Sequence, residues 1–364
     1  MVYIHIPYCR THCTYCAFYS ELLPRSGSSD AFVDALCREL ASFRPSQALL
    51  NAPHTLYIGG GTPSLLPPAA LESIVGEVVK AGWQIEDEFT LEVNPDDIVR
   101  GGEAYAAALK ALGVSRISMG IQSSDDAQLR LMGRRHNFAE ALDAYRMLRR
   151  VGFDNISVDF IFGFAEGPAE DDIRASLMEL DSAGGSLPEH ISCYQLSVEP
   201  GSALEKMRER GLWEMPSDEM CCSQYSGICS MLAALGYEHY EISNWARPGR
   251  RSLHNSSYWT HQPYMGFGPG AHSFVWDGQV PCRYWNEPSL HSYLTRLVPE
   301  RSGERLSPEQ LRLERIMLGL RTCDGIDASL IDGEYSFLEP CSEGRLRIPE
   351  SEWFISDSLI AGID

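Results

Sequence analysis

The sequence predicts an α/β fold: a partial (β/α)6 barrel with a smaller, mostly helical or winged C-terminal domain. Three observations lead there. Short apolar or β-branched runs recur at residues 2–6, 55–58, 89–93, 116–121, 156–161 and 190–196. Helical patterns fill the gaps at 30–43, 69–80, 104–112, 138–151 and 171–180, with apolar residues returning every three or four positions. No nucleotide-type glycine fingerprint follows the first strand, which suits a partial barrel. Strands alternating with helices require right-handed crossovers and a parallel sheet, so functional residues are expected at the C-terminal strand ends.

Beyond residue 196 the pattern changes. A helical stretch covers 218–235, followed by Tyr237-Glu-His-Tyr-Glu-Ile-Ser-Asn and a loop-rich segment dense in Gly, Pro, His and aromatics up to Tyr284. A helix near 308–321 and a hairpin near 344–348 complete the reading. The expected division is a barrel over 1–200 that carries the cysteine loop, a barrel extension over 201–300 with a His-Asn-x-x-Tyr-Trp segment, and a small cap over 301–364.

Composition excludes several classes. The 364 residues hold 30 Lys and Arg against 50 Asp and Glu, a net charge of −20. That charge opposes nucleic acid and anionic lipid, so no nucleic-acid partner is expected. No apolar run is long enough to cross a bilayer, and the N-terminus lacks the basic and apolar stretches of a signal peptide, so a cytoplasmic location is expected. Eleven cysteines, an odd count without an export signal, point to reduced thiols. Cys37 and Cys193 read as small core hydrophobes, and the adjacent Cys221 and Cys222 point different ways on one helix.

Chemistry concentrates in Cys9-Arg-Thr-His-Cys13-Thr-Tyr-Cys16, directly after the first strand. Three thiolates cannot saturate four irons, so such a loop would leave one iron of a [4Fe-4S] cluster open to a methionine moiety. The alternative is a structural zinc site completed by His5 or His12. Gly59-Gly-Gly-Thr-Pro63 ends the second strand, where absent side chains let the backbone approach a ligand, or simply make a turn.

Tyr3-Ile-His-Ile-Pro-Tyr-Cys9, Gly59–Pro63, Glu92-Val-Asn-Pro95, Gly120-Ile-Gln122, Gly133-Arg-Arg-His136 and Val158-Asp-Phe-Ile-Phe-Gly163 occur in order across most of the chain. Together they resemble the radical S-adenosylmethionine (SAM) family that contains oxygen-independent coproporphyrinogen III oxidase and the HemW-type heme chaperones. The resemblance implies a [4Fe-4S] cluster on Cys9, Cys13 and Cys16, fed by an electron donor and able to cleave SAM reductively. It places Tyr3 and Tyr15 beside the cluster and cofactor, and Gly60, Gly61, Thr62 and Glu92 on the methionine and ribose side of SAM. Gln122, Arg134 and Asp159 complete that pocket.

Within the family the choice lies between an oxidase and a heme carrier. Oxidases of this kind carry a further cysteine two residues after the triplet and a segment ahead of the first strand. Here Phe18 takes that position, the chain begins almost at the strand, and nothing clearly supplies the oxidase's second SAM site. By contrast, Tyr240-Glu-Ile-Ser-Asn-Trp-Ala246, His254-Asn-Ser-Ser-Tyr258-Trp259 and Gly266-Phe-Gly-Pro-Gly-Ala-His-Ser273 look like the HemW-type heme chaperones. That likeness implies heme as cargo, passed to heme-accepting proteins that include membrane-bound ones. His254 is the candidate iron ligand, with His272 as its nearest rival. Two positions depart from the family pattern: Ala17, where an acidic residue is usual, and Gly163-Phe-Ala-Glu-Gly167, which replaces a Gly-Leu-Pro segment.

Overall fold

The computed structural model describes residues 1–24 and 28–363. Its centre is an open nine-stranded sheet. Six parallel strands run in chain order across it: β1 (Val2–Ile6), β2 (Thr55–Gly60), β3 (Glu88–Val93), β4 (Arg116–Gln122), β5 (Ile156–Phe162) and β6 (His190–Gln195). Each matches an expected strand to within two residues. Beyond β6 come the antiparallel β7 (Glu238–Glu241) and β8 (Asn244–Ala246), with β8 next to β6, and beyond β1 lies the parallel β9 (Met265–Phe267).

Alternation along β1 sets the two faces. Val2, Ile4 and Ile6 sink into the apolar layer with Phe32 and Leu36 of α1 (Asp30–Ser42), while Tyr3 and His5 face the concave side. Outer helices α2 (Pro68–Lys80), α3 (Pro95–Ala111), α4 (Phe138–Arg150), α5 (Ala169–Gly184) and α6 (Asp218–Ala234) complete that layer. The expected helix over 104–112 begins earlier, at Pro95. Gly102 sits at φ 65°, so two helical pieces meet at a kink there, and the polar first piece shows no apolar period.

The loop-rich segment is more ordered than its composition indicates. Besides β9 it contains β10 (His272–Asp277) and β11 (Val280–Asn286), which form a three-stranded antiparallel sheet with β12 (Arg301–Arg305). The expected boundary at 300 therefore falls inside one sheet. Short, glycine-interrupted strands carry too little alternation to be read from sequence. After α8 (Pro308–Gly319) the chain forms a small antiparallel sheet from Ile326–Asp327, Glu339–Ser342 and Arg345–Arg347, whose Trp353-bearing neighbour shares the main core.

One buried carboxylate ties the β9–β12 region to α1. Glu39, 1% exposed, accepts from Gly268 N (2.9 Å), Asn286 Nδ2 (2.9 Å), Tyr293 Oη (2.6 Å) and Arg301 Nη2 (2.7 Å). Glu39→Ala orphans several donors at once. We expect it to cost about 3 kcal/mol or more, read as a lowered urea midpoint.

Candidate functional site

The cysteine loop leaves the C-terminal end of β1 and is closed by a two-residue pairing of Tyr8–Cys9 with Glu21–Leu22. Thr14 pins its middle: its N–H donates to Met132 O (3.0 Å), its hydroxyl to Leu131 O (3.0 Å), and its carbonyl accepts from Leu204 N (2.8 Å). Cys9 and Cys13 are half-buried, Cys16 is exposed, and all three are free thiols. Burial pushes the Cys9 thiol up and that of Cys16 up to about 11, with repulsion from the neighbouring thiols adding to it.

Among the described residues, the one set of three His, Cys, Asp or Glu ligand atoms all within 4.8 Å is Cys229, His239 and Glu350, so the loop thiols are not gathered with His5 or His12 into a compact metal-binding set. The histidines are also engaged elsewhere: His5 with Tyr3 Oη (3.0 Å) and Tyr19 O (2.8 Å), His12 with Ser20 Oγ (3.2 Å).

Three of the expected cofactor residues, Tyr15, Thr62 and Arg134, gather around the thiols. The Thr62 hydroxyl donates to Cys9 Sγ (3.6 Å) and accepts from Asn94 Nδ2 (3.3 Å). Asn94 Oδ1 accepts from Arg134 Nη2 (2.7 Å), and Arg134 Nη1 reaches Cys13 Sγ (3.6 Å). This chain of contacts links the first and second cysteines through two strand ends. Among the described residues the buried Arg134 Nε has no partner, a donor left for a ligand group. Tyr15 packs over Arg134 and Cys13, its phenol pushed up by burial. Asn94 lies within the Glu92-Val-Asn-Pro motif, and only the folded arrangement shows it joining Thr62 to Arg134.

Glycines and a carboxylate build the neighbouring cradle. Glu92 accepts from Tyr57 Oη (2.7 Å) and Gly60 N (3.0 Å), and burial pushes it up to about 7. Gly60 has φ 106°, and a Cβ at Gly61 would lie 2.6 Å from Tyr8 O and 2.9 Å from Ile6 O, both backbone. Gly61→Ala must part β2 from the cysteine loop, so we expect lost SAM affinity and lost iron. The control Gly76→Ala, which meets nothing within 4 Å on α2, should leave both unchanged. Isothermal titration with SAM and iron per chain read the pair.

Gln122 ends β4 at φ 71°, where the pairing with β5 shifts register, a strained non-glycine position of the kind that clusters at functional sites. Its amide approaches Gly120, whose carbonyl accepts from Arg134 Nη2 (2.7 Å). Asp159 stands deeper on the concave face, held by Ser118 (3.1 Å) and Ser157 (3.3 Å), and burial raises its pKa. The fully buried Arg116 supplies positive potential to both Asp159 and Glu92. The departure at Gly163–Gly167 is braced by Gln224, which accepts from Gly163 N (3.0 Å) and donates to Ala165 O (2.9 Å) and Gly167 O (2.7 Å).

His254 is not brought to this set. It is fully buried on α7 (Leu253–Trp259), its Nδ1 2.7 Å from Thr55 Oγ1 and its Nε2 2.9 Å from Tyr258 Oη. Burial pushes it down to about 3. In front of it, a cavity of about 590 Å³ opens beside the cysteine loop. Its walls include Tyr3, Phe18, Tyr258, Tyr264, His272 and Trp285. Phe18 is 72% exposed, on the loop just past Cys16. Tyr264 and Trp285 belong to no motif of their own, and the short strands that place them are not legible in the sequence.

Residues 3–175 match the model of the radical SAM superfamily. Heme chaperone HemW of Synechocystis is 36% identical, covering 89% of this chain and 78% of its own length. Heme chaperone HemW of Lactococcus lactis is 32% identical, covering 98% of this chain and 90% of its own length. Bovine mitochondrial radical S-adenosyl methionine domain-containing protein 1 is 33% identical, covering 89% of this chain and 74% of its own. In fold, the chain is similar to coproporphyrinogen III oxidase HemN from Escherichia coli, with a TM-score of 0.77 at 19% identity over 99% of this chain and 88% of that one. Superfamily membership implies a [4Fe-4S] cluster and SAM. From the ordered motifs, the shared fold and relatives aligned over nearly the whole chain, we conclude that this protein belongs to the HemW family of radical SAM proteins.

Proposed function

We propose that this chain is a heme carrier, binding heme in the cavity beside the cysteine loop and delivering it to acceptor proteins. The observation that carries the reading is that cavity: about 590 Å³, walled by aromatic rings and histidine, within the size range of small-molecule and cofactor sites. The relatives' printed name, heme chaperone, supports it. Cys9, Cys13 and Cys16 would hold the cluster. Gly60, Gly61, Thr62, Glu92, Gln122, Arg134 and Asp159 would hold SAM, with Tyr3 and Tyr15 alongside.

When bound, the cluster and SAM supply one-electron chemistry. The chain's own residues orient and shield. Arg134 offers its unpartnered Nε–H to a carboxylate, and ionised Glu92 receives an ammonium group. Tyr3 and Tyr258 line the cavity. A cytoplasmic location, an electron donor and membrane-bound acceptors belong to the same reading. Among the described residues no helix is long and apolar enough to cross a membrane.

Likeness to the oxidase fold supplies the competing reading, conversion of coproporphyrinogen III to protoporphyrinogen IX. Incubating anaerobically reconstituted protein with coproporphyrinogen III, SAM and a low-potential reductant separates the two. The carrier reading expects no protoporphyrinogen; its formation with SAM consumed would overturn that reading.

A further inference from the structure

Four histidines stand near the cavity, and two have both ring nitrogens bonded. His5 lines it but is bonded at both ring nitrogens to Tyr3 and to the Tyr19 carbonyl. His254 is bonded at both nitrogens to Thr55 and Tyr258 and lies behind the Tyr258 phenol, off the cavity wall. His261 pairs through Nε2 with Glu314 (3.2 Å) and stacks on Phe274; its Nδ1 has no partner among the described residues, but the residue is not part of the cavity wall. His272 alone lines the cavity while no described residue hydrogen-bonds its ring.

Resting on the carrier reading, we propose that His272 is the axial ligand of the cargo iron, and that His254 serves instead to set the phenol of Tyr258 at the cavity wall. The bond is a simple coordinate one, an imidazole lone pair donated to iron, with no change of oxidation state. Its backbone is held for the task. His272 sits directly across from Trp285 in the β10–β11 pairing, their rings 6.0 Å apart and 24° from parallel. At Gly266 a Cβ would lie 2.1 Å from His272 O, so the strand bearing His272 is pressed against β9. The turn before it is anchored where Gly268 N–H donates to buried Glu39. Partial burial and the nearby Arg283 charge lower the pKa of His272, keeping the imidazole neutral and able to coordinate. Tyr264, the other uncommitted donor on the wall, has its phenol pushed up by burial and is a poorer ligand for want of its anion.

The test adds ferric heme to cluster-loaded protein and records the Soret difference spectrum and the electron paramagnetic resonance of the bound iron. Wild type is expected to show a nitrogen-ligated iron. His272→Ala is expected to lose that signature and weaken heme binding roughly tenfold. Added imidazole should restore the signature, which also shows that the variant is folded. His272→Met should give a sulfur-ligated spectrum instead. Wild-type ligation retained in both His272 variants, or ligation lost only in His254→Gln, would overturn the assignment while leaving heme carriage intact. Failure of wild type to take up heme at all would remove the carrier reading and this proposal with it.

Discussion

Replacing Cys9, Cys13 or Cys16 singly with alanine is expected to abolish cluster assembly, leaving iron and sulfide per chain at background after anaerobic reconstitution. Three thiolates are the fewest that hold a four-iron cube with one open iron, and no described histidine or carboxylate is placed to substitute: His5 and His12 are bonded elsewhere. Cys221→Ala and Cys222→Ala supply the contrast. Cys221 is buried and Cys222 exposed on different faces of α6, and iron content should be unaffected by either. Loading should also depend on pH. Burial holds the Cys9 and Cys16 thiols above their ordinary value, so iron must displace protons, and assembly should strengthen as pH rises toward about 11 for Cys16. Full iron in any of the three single variants would show that the loop is not the cluster site.

SAM affinity is expected to fall as pH drops below about 7, the pKa to which burial raises Glu92. The sign follows from its charge. Above that value Glu92 is a carboxylate that attracts the methionine ammonium; below it the group is protonated, and binding must first remove the proton. The apparent association constant should therefore decline about tenfold per pH unit below the pKa. In the ligand-free protein the same raised pKa works the other way. Glu92 favours the folded state at low pH, fully so below its unfolded value, and that contribution is lost as pH rises through about 7. Glu92→Gln should abolish the pH dependence and weaken SAM roughly ten- to hundredfold, because it removes the charge and leaves a single amide oxygen facing both Tyr57 and Gly60 donors. Isothermal titration across pH 5 to 8 measures both effects; a flat profile in wild type would remove Glu92 from the ammonium site.

What the sequence made legible follows from range. β1 to β6 were readable because each is a buried parallel strand whose apolar or β-branched residues cluster in a short stretch, with helical patterns between one strand and the next. The first helical piece of α3 was hidden by its acidic start and the kink at Gly102. β9 to β12 were hidden because their short strands are fixed by distant partners, above all Glu39 reaching Gly268 and Asn286 across more than two hundred residues. The site divides along the same line. Motif residues at strand ends could be named one by one, but not the bridge from Thr62 through Asn94 to Arg134, which depends on two strand ends meeting the loop that carries Arg134. His254 was singled out by a local motif, and a local motif does not reveal that Thr55 and Tyr258 occupy both of its nitrogens.

The most direct measurement of the central claim is a heme titration of anaerobically reconstituted protein, followed by the Soret band and by the heme retained after gel filtration. The account predicts saturation at one heme per chain, with the heme co-eluting with the protein. Absence of a saturable band, or heme lost entirely on the column, would contradict it.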